Sequence, residues 1–121
     1  MPGHSISLLT MADSEELYDQ AVDCVAEGRL DDAISKYKEA LSLAPTFADA
    51  WEGLSMAYAD KEMWAEAVEA AKKVVELTPD EQLAYTNVSR IYQRSGNVAE
   101  AEAWAAKARV LDWKAQLREG K

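Results

Sequence analysis

Histidine and cysteine each occur once in these 121 residues, and that scarcity removes most catalytic chemistry from consideration. With His4 as the single imidazole, neither a histidine-based triad nor a multi-histidine metal site can be built within one chain. Cys24 alone cannot close an intramolecular disulfide, which fits a reducing compartment. There is no glycine-rich phosphate loop, and the carboxylates lack the loop spacing of a calcium site. No apolar run approaches the roughly 20 residues that cross a bilayer. The short apolar stretch near the N-terminus has no basic region ahead of it, so a cleaved signal peptide is not expected. Cations are also in deficit. Lys and Arg number 13 against 22 Asp and Glu, for a formal charge of −9, which leaves no broad basic patch to displace nucleic-acid counterions. The expectation is a non-enzymatic cytoplasmic protein with no cofactor, no metal, no nucleic-acid partner and no membrane partner.

What the chain has instead is a period. Ala33, Ala67 and Ala101 lie 34 residues apart, as do Leu43, Leu77 and Leu111. Pro45 and Pro79 keep the interval, as do Tyr58 and Tyr92, and Leu17, Trp51 and Tyr85 form a third bulky series. A repeat of this length is one supersecondary unit, which must stack on its neighbours to bury its apolar face. Within the second unit, Trp51, Leu54, Tyr58 and Ala59 share one helical face. A break follows near 61–63, and Ala67, Val68, Ala71, Val74 and Val75 mark a second helix that Pro79 terminates. The first unit follows the same plan. Asp13 with Glu16 reads as a capping box, Gly28 as a break, and 31–44 as the second helix. In the third unit Gly96 and Asn97 supply the turn, both tolerating a left-handed backbone. No stretch alternates like a strand. The fold class is all-α, and the recurring alanines admit close helix pairing beside bulky Trp51, Tyr58, Tyr85 and Tyr92. Full burial of Trp51 would make its truncation to Ala cost about 3–5 kcal/mol.

These residues resemble the tetratricopeptide repeat family. The second unit carries the signature most fully, in Trp51, Leu54, Tyr58, Ala67 and Pro79. The first contributes Gly28, Ala33, Tyr37, Ala40 and Pro45, and the third Tyr92, Gly96, Ala101 and Ala108. Three helix-turn-helix units cover 14–47, 48–81 and 82–115, with 1–13 as a flexible N-terminal extension and 116–121 as the helix end and tail. Cys24, Ser55, Ser89 and Trp113 depart from the family's pattern. The resemblance implies a right-handed superhelix, or solenoid, whose concave groove is lined by the first helix of each pair. It further implies an adaptor that binds a segment of another protein.

On that assignment the groove is lined by Glu15, Tyr18, Val22 and Val25 in unit one, and by Asp49, Glu52, Met56 and Ala59, with Asp60 beside them, in unit two. Unit three adds Leu83, Thr86, Arg90 and Gln93, with Arg94 adjacent. The groove is then acidic and apolar over two units and basic at the third. Such a surface suits a peptide with apolar anchors and basic residues, although the same charges also serve simply as a solvated face. The family's terminal-carboxylate clamp falls on Tyr18, Val22, Gly53, Leu83 and Asn87, none of them cationic. Capture of chaperone C-termini by that route is not expected.

Charge and the last helix suggest a second function class. Units one and two carry a net −11, and 82–121 carry +3. No proline or glycine interrupts the stretch from Val98 to Glu119, so one long final helix is expected, carrying Trp104, Val110, Leu111, Trp113 and Leu117. Trp104, Trp113 and Leu117 are the candidates for self-association into a homo-oligomer, through the last helix or by acidic-to-basic contact between copies. Packing on the second unit, and a self-capping role for Trp113, are the competing uses. Upstream, Ile6, Leu8 and Leu9 have a weaker alternative to a free tail, docking against the groove or the first helix.

Overall fold

The computed structural model describes residues 3–120, with side chains from Ala12 onward. Six helices follow in order: α1 (Gly3–Ala26), α2 (Leu30–Leu43), α3 (Ala48–Asp60), α4 (Trp64–Leu77), α5 (Gln82–Ser95) and α6 (Val98–Glu119). No strand occurs among the described residues. Each odd helix pairs with the even helix after it, and contacts between pairs run α2 to α3, α4 to α5 and α1 to α3. Three helix pairs therefore stack as a solenoid, the right-handed superhelix that the family resemblance implies.

The turns explain the period. Arg29 N–H donates to Cys24 O at 2.8 Å, Met63 to Tyr58 O at 2.9 Å and Asn97 to Tyr92 O at 2.9 Å. This six-to-one bond closes a helix C-terminus when the residue before the donor adopts a left-handed backbone. Gly28 (φ 79°) and Gly96 (φ 90°) do so without a Cβ to obstruct them. In the middle repeat the same position is Glu62, the one non-glycine at positive φ among the described residues (φ 61°). Of the two turn residues only Gly96 uses the left-handed conformation that both tolerate. The φ of Asn97 is −89°, and its side chain caps α6 by accepting from Glu100 N–H at 3.2 Å.

Burial follows the alanine series. Ala33 and Ala67 are fully buried and Ala101 nearly so, which lets the paired helices approach closely. Tyr37, Leu54, Tyr58, Val88 and Ile91 fill the space around them, and Cys24 is a buried core residue. Tyr37 also explains Gly53: a Cβ there would stand 2.6 Å from the phenolic oxygen and within clash distance of the ring.

Three expectations are corrected. Asp13 lies in the interior of α1 and does not cap it, because α1 begins at Gly3 and nothing in the sequence from 4 to 27 is proline or glycine. Residues 3–13 are thus continuous with the first repeat helix, while docking of Ile6, Leu8 and Leu9 lies outside the described side chains. Trp51 is half-buried and not enclosed, packing against the core edge with its indole N–H bonded to Pro45 O. The full-burial figure for its truncation does not apply. Ala59, placed on the groove face by spacing, is fully buried.

Candidate functional site: the face shared by α1, α3 and α5

Tyr18 anchors the first-repeat end of this face. It is half-buried, its ring 5.8 Å from that of Tyr37 and 5.1 Å from that of Phe47. Burial raises its pKa, and the nearby carboxylates of Asp49, Glu52 and Asp19 raise it further. The α1 and α3 candidates therefore share one acidic field. Glu15 and Asp49 are exposed, and so are the apolar side chains of Val22 and Met56, at 42% and 53%.

Between the second and third repeats the charges find partners. Glu52 accepts from Asn87 Nδ2 at 3.2 Å, and Asn87 Oδ1 accepts from Arg90 Nη1 at 3.2 Å. Arg94 Nη2 donates to Asp60 Oδ1 at 3.2 Å, with its guanidinium 5.6 Å from the Trp64 ring centroid. The basic third repeat is thus partly neutralised by the acids of the second. Arg94 is a clip between repeats, an arrangement spacing alone did not reveal. Thr86 turns its hydroxyl to its own helix, onto Gln82 O at 3.3 Å.

A cavity of about 240 Å³ opens between α3 and α5, closed below by Val74 and Thr78 of the α4 end. Asp49, Glu52 and Glu81 line it with Leu83 and Asn87, and no Lys or Arg does. Glu81, at the N-cap of α5, was not anticipated as part of this face. Its only sequence signal is its place at the end of the second repeat, directly ahead of the third, where an acid suits a helix N-terminus. Among the clamp positions, Tyr18 and Gly53 are committed to the Tyr37 contacts, and Leu83 is exposed.

The self-association candidates separate. Trp104 turns inward. Its ring lies 5.9 Å from that of Tyr85, with Lys107 Nζ at 3.9 Å and Lys72 Nζ at 5.5 Å from its centroid. Trp113 and Leu117 remain 59% exposed. Among the described residues no group of His, Cys, Asp and Glu is arranged to hold a metal, and no helix is long and apolar enough to cross a membrane.

Residues 25–86 and 64–116 match sequence models of the tetratricopeptide repeat. An Hsp70-Hsp90 organizing protein of Triticum aestivum is 31% identical over 85 residues, which is 70% of this chain and 15% of that protein. The chain therefore spans a small part of that relative. Among solved structures, a MamA protein superposes with a TM-score of 0.82 at 24% identity, over 90% of this chain and 58% of that one. The TPR2B domain of yeast Sti1, in a complex with pHsp70, gives 0.77 at 21%, over 89% of this chain and 90% of the other. The first TPR of Spaghetti (RPAP3), bound to the HSP90 peptide SRMEEVD, gives 0.76 at 18%, over 84% and 80%. At these identities the structures establish a shared fold.

Proposed function

The chain belongs to the tetratricopeptide repeat family, and on that premise we propose that it is a non-enzymatic adaptor holding a segment of another protein along α1, α3 and α5. Relatives in complexes with chaperone peptides support the general role. The segment bound here has a different chemistry. The peptide SRMEEVD held by the Spaghetti repeat is acidic towards its end, whereas the cavity between α3 and α5 is lined by three carboxylates and no cation. That lining carries the reading. A basic side chain entering beside Asp49, Glu52 and Glu81 meets carboxylates that have no ion pair among the described residues, Glu52 being held only by the neutral Asn87 amide, while Val22, Met56 and Leu83 offer exposed apolar surface for neighbouring residues.

Fluorescence anisotropy with labelled synthetic peptides tests it, using one series that interleaves leucine with arginine or lysine and a matched series carrying glutamate. The basic series should bind, should weaken with salt, and should be lost in Asp49→Lys/Glu52→Lys. Equal binding of both series, or binding that ignores the charge reversal, would leave these carboxylates as a solvated face.

A further inference from the structure

The last helix has two apolar faces, and its own fold uses only one. Ala101, Trp104, Ala108, Leu111 and Ala115 turn towards the body of the protein, from buried to half-buried. Trp113 lies five residues from Ala108. At 3.6 residues per turn, that puts it on nearly the opposite side of the helix. Val110, Trp113 and Leu117, at i, i+3 and i+7, form a stripe there, exposed by 47%, 59% and 59%. α6 also outruns its partner, with 22 residues against 14 in α5, so its C-terminal end projects beyond the hairpin. Arg109, Lys114 and Arg118 lie near or beside the stripe, exposed and without an ion-pair partner among the described residues.

A complementary surface lies elsewhere on the same molecule. Between α2 and α4 is a cleft of about 360 Å³ that includes Trp51, Leu54 and Tyr58 of α3, with Glu66, Glu69 and Lys38 around them. Leu54 and Tyr58 are each two residues from Met56, so they stand on the face of α3 opposite the adaptor surface. Glu66 and Glu69 are exposed and have no ion-pair partner among the described residues. One surface thus offers an exposed apolar stripe centred on Trp113 with free cations, and the other a cleft edged by two free acids and one free lysine, Lys38.

We propose that these two surfaces bind each other between copies of the chain, the Val110–Trp113–Leu117 stripe of one seating in the cleft between α2 and α4 of the next. The contact is heterologous, so a pair still has one free cleft, on the copy whose stripe is used, and one free stripe, on the other, for further copies. It uses the opposite side of α3 from Met56, so the adaptor face of α1, α3 and α5 stays open, and it stands independently of the peptide-binding reading. An α6-to-α6 pairing is less favourable on charge. In an antiparallel pair centred on Trp113, residues on one flank of the stripe meet the same flank of the partner, which brings the lysines at 107 and 114 together.

The test is light scattering after size-exclusion chromatography of the whole chain, over a wide concentration range, for wild type, Trp113→Glu and Glu66→Lys/Glu69→Lys. All three positions are surface sites, and circular dichroism checks that the variants melt like wild type. Wild type should form concentration-dependent species larger than a dimer that weaken with salt, and each variant should be monomeric. A mixture of the two variants should yield a one-to-one pair and nothing larger, because Trp113→Glu keeps an intact cleft and the double variant keeps an intact stripe. Wild type that stays monomeric throughout overturns the proposal. So does assembly that survives Glu66→Lys/Glu69→Lys, which would assign the stripe to another surface. So does a mixture that does not pair. Peptide anisotropy on the same variants separates this outcome from any failure of the adaptor reading.

Discussion

The indole N–H of Trp51 donates to the backbone carbonyl of Pro45 at 2.8 Å, six residues earlier in the chain. One period later the bond recurs with different chemistry, Tyr85 Oη donating to Pro79 O at 2.9 Å. In each case the first helix of a repeat is tied to the turn that precedes it, at a carbonyl following a helix that has just ended. The repeat therefore conserves a geometry, a polar aromatic tip over a proline carbonyl, through two different residues. Trp51→Phe keeps much of the ring contact and deletes the donor. Because the bond lies at the surface, the expected loss is about 0.5–1 kcal/mol in urea unfolding. A loss several times larger would mean that the indole's packing, and not its N–H, matters most.

Glu62 pays a backbone cost that Gly28 and Gly96 avoid. All three occupy the left-handed position before the six-to-one bond, but only Glu62 carries a Cβ there. A left-handed backbone costs a side-chain-bearing residue roughly 1–2 kcal/mol, and glycine gives part of that back through its freer unfolded chain. Glu62→Gly is therefore expected to stabilise the protein by about 0.5–1 kcal/mol, read as a higher thermal midpoint. A lower midpoint would show that the Glu62 side chain makes a compensating contribution.

Much of the fold was legible because helix faces and punctuation are local properties. Ala33, Ala67 and Ala101 fell in the core, and Gly28 and Gly96 fell at turns. The last helix ran from Val98 to Glu119 because nothing between them interrupts it. The start of α1 was not legible, since Asp13 with Glu16 has the form of a cap but a cap motif does not stop a helix from continuing upstream. Ala59 was misplaced because it sits at the edge between two faces, where a three- or four-residue spacing cannot choose. The charged part of the site was the least readable. Asp60 with Arg94, and Glu52 with Asn87, meet across stacked repeats, and which long side chains touch there depends on superhelical geometry that spacing within one helix does not encode.

Gly53 falls where the family resemblance would put part of the carboxylate clamp, yet its contact here is steric. The Tyr37 ring of α2 lies against the α3 backbone where a Cβ would project, with the phenolic oxygen 2.6 Å from that point. Tyr37 is itself buried and packed beside Tyr18, so the ring has little room to retreat. Gly53→Ala should destabilise by about 1–3 kcal/mol through overpacking. Adding Tyr37→Phe should recover part of the loss, since it removes one of the clashing atoms. Full independence of the two substitutions in a double-mutant cycle would show that the clash is relieved elsewhere.

Tyr37 also sets an alkaline limit on stability. Burial, followed by its neighbours Tyr18 and Cys24, pushes its pKa from 10.0 up to about 12. Folding thus favours the protonated phenol. Below pH 10 the side chain is neutral in both folded and unfolded chains, so its contribution is fully present. Between 10 and about 12 the unfolded chain releases this proton more readily than the folded one, and stability falls as pH rises. Tyr18, whose pKa is also raised, adds in the same direction. Thermal midpoints followed across this interval should drop for wild type and drop less for Tyr37→Phe, which has no phenol to ionise. Parallel slopes for the two proteins would place the alkaline sensitivity in other groups and remove Tyr37 as its cause.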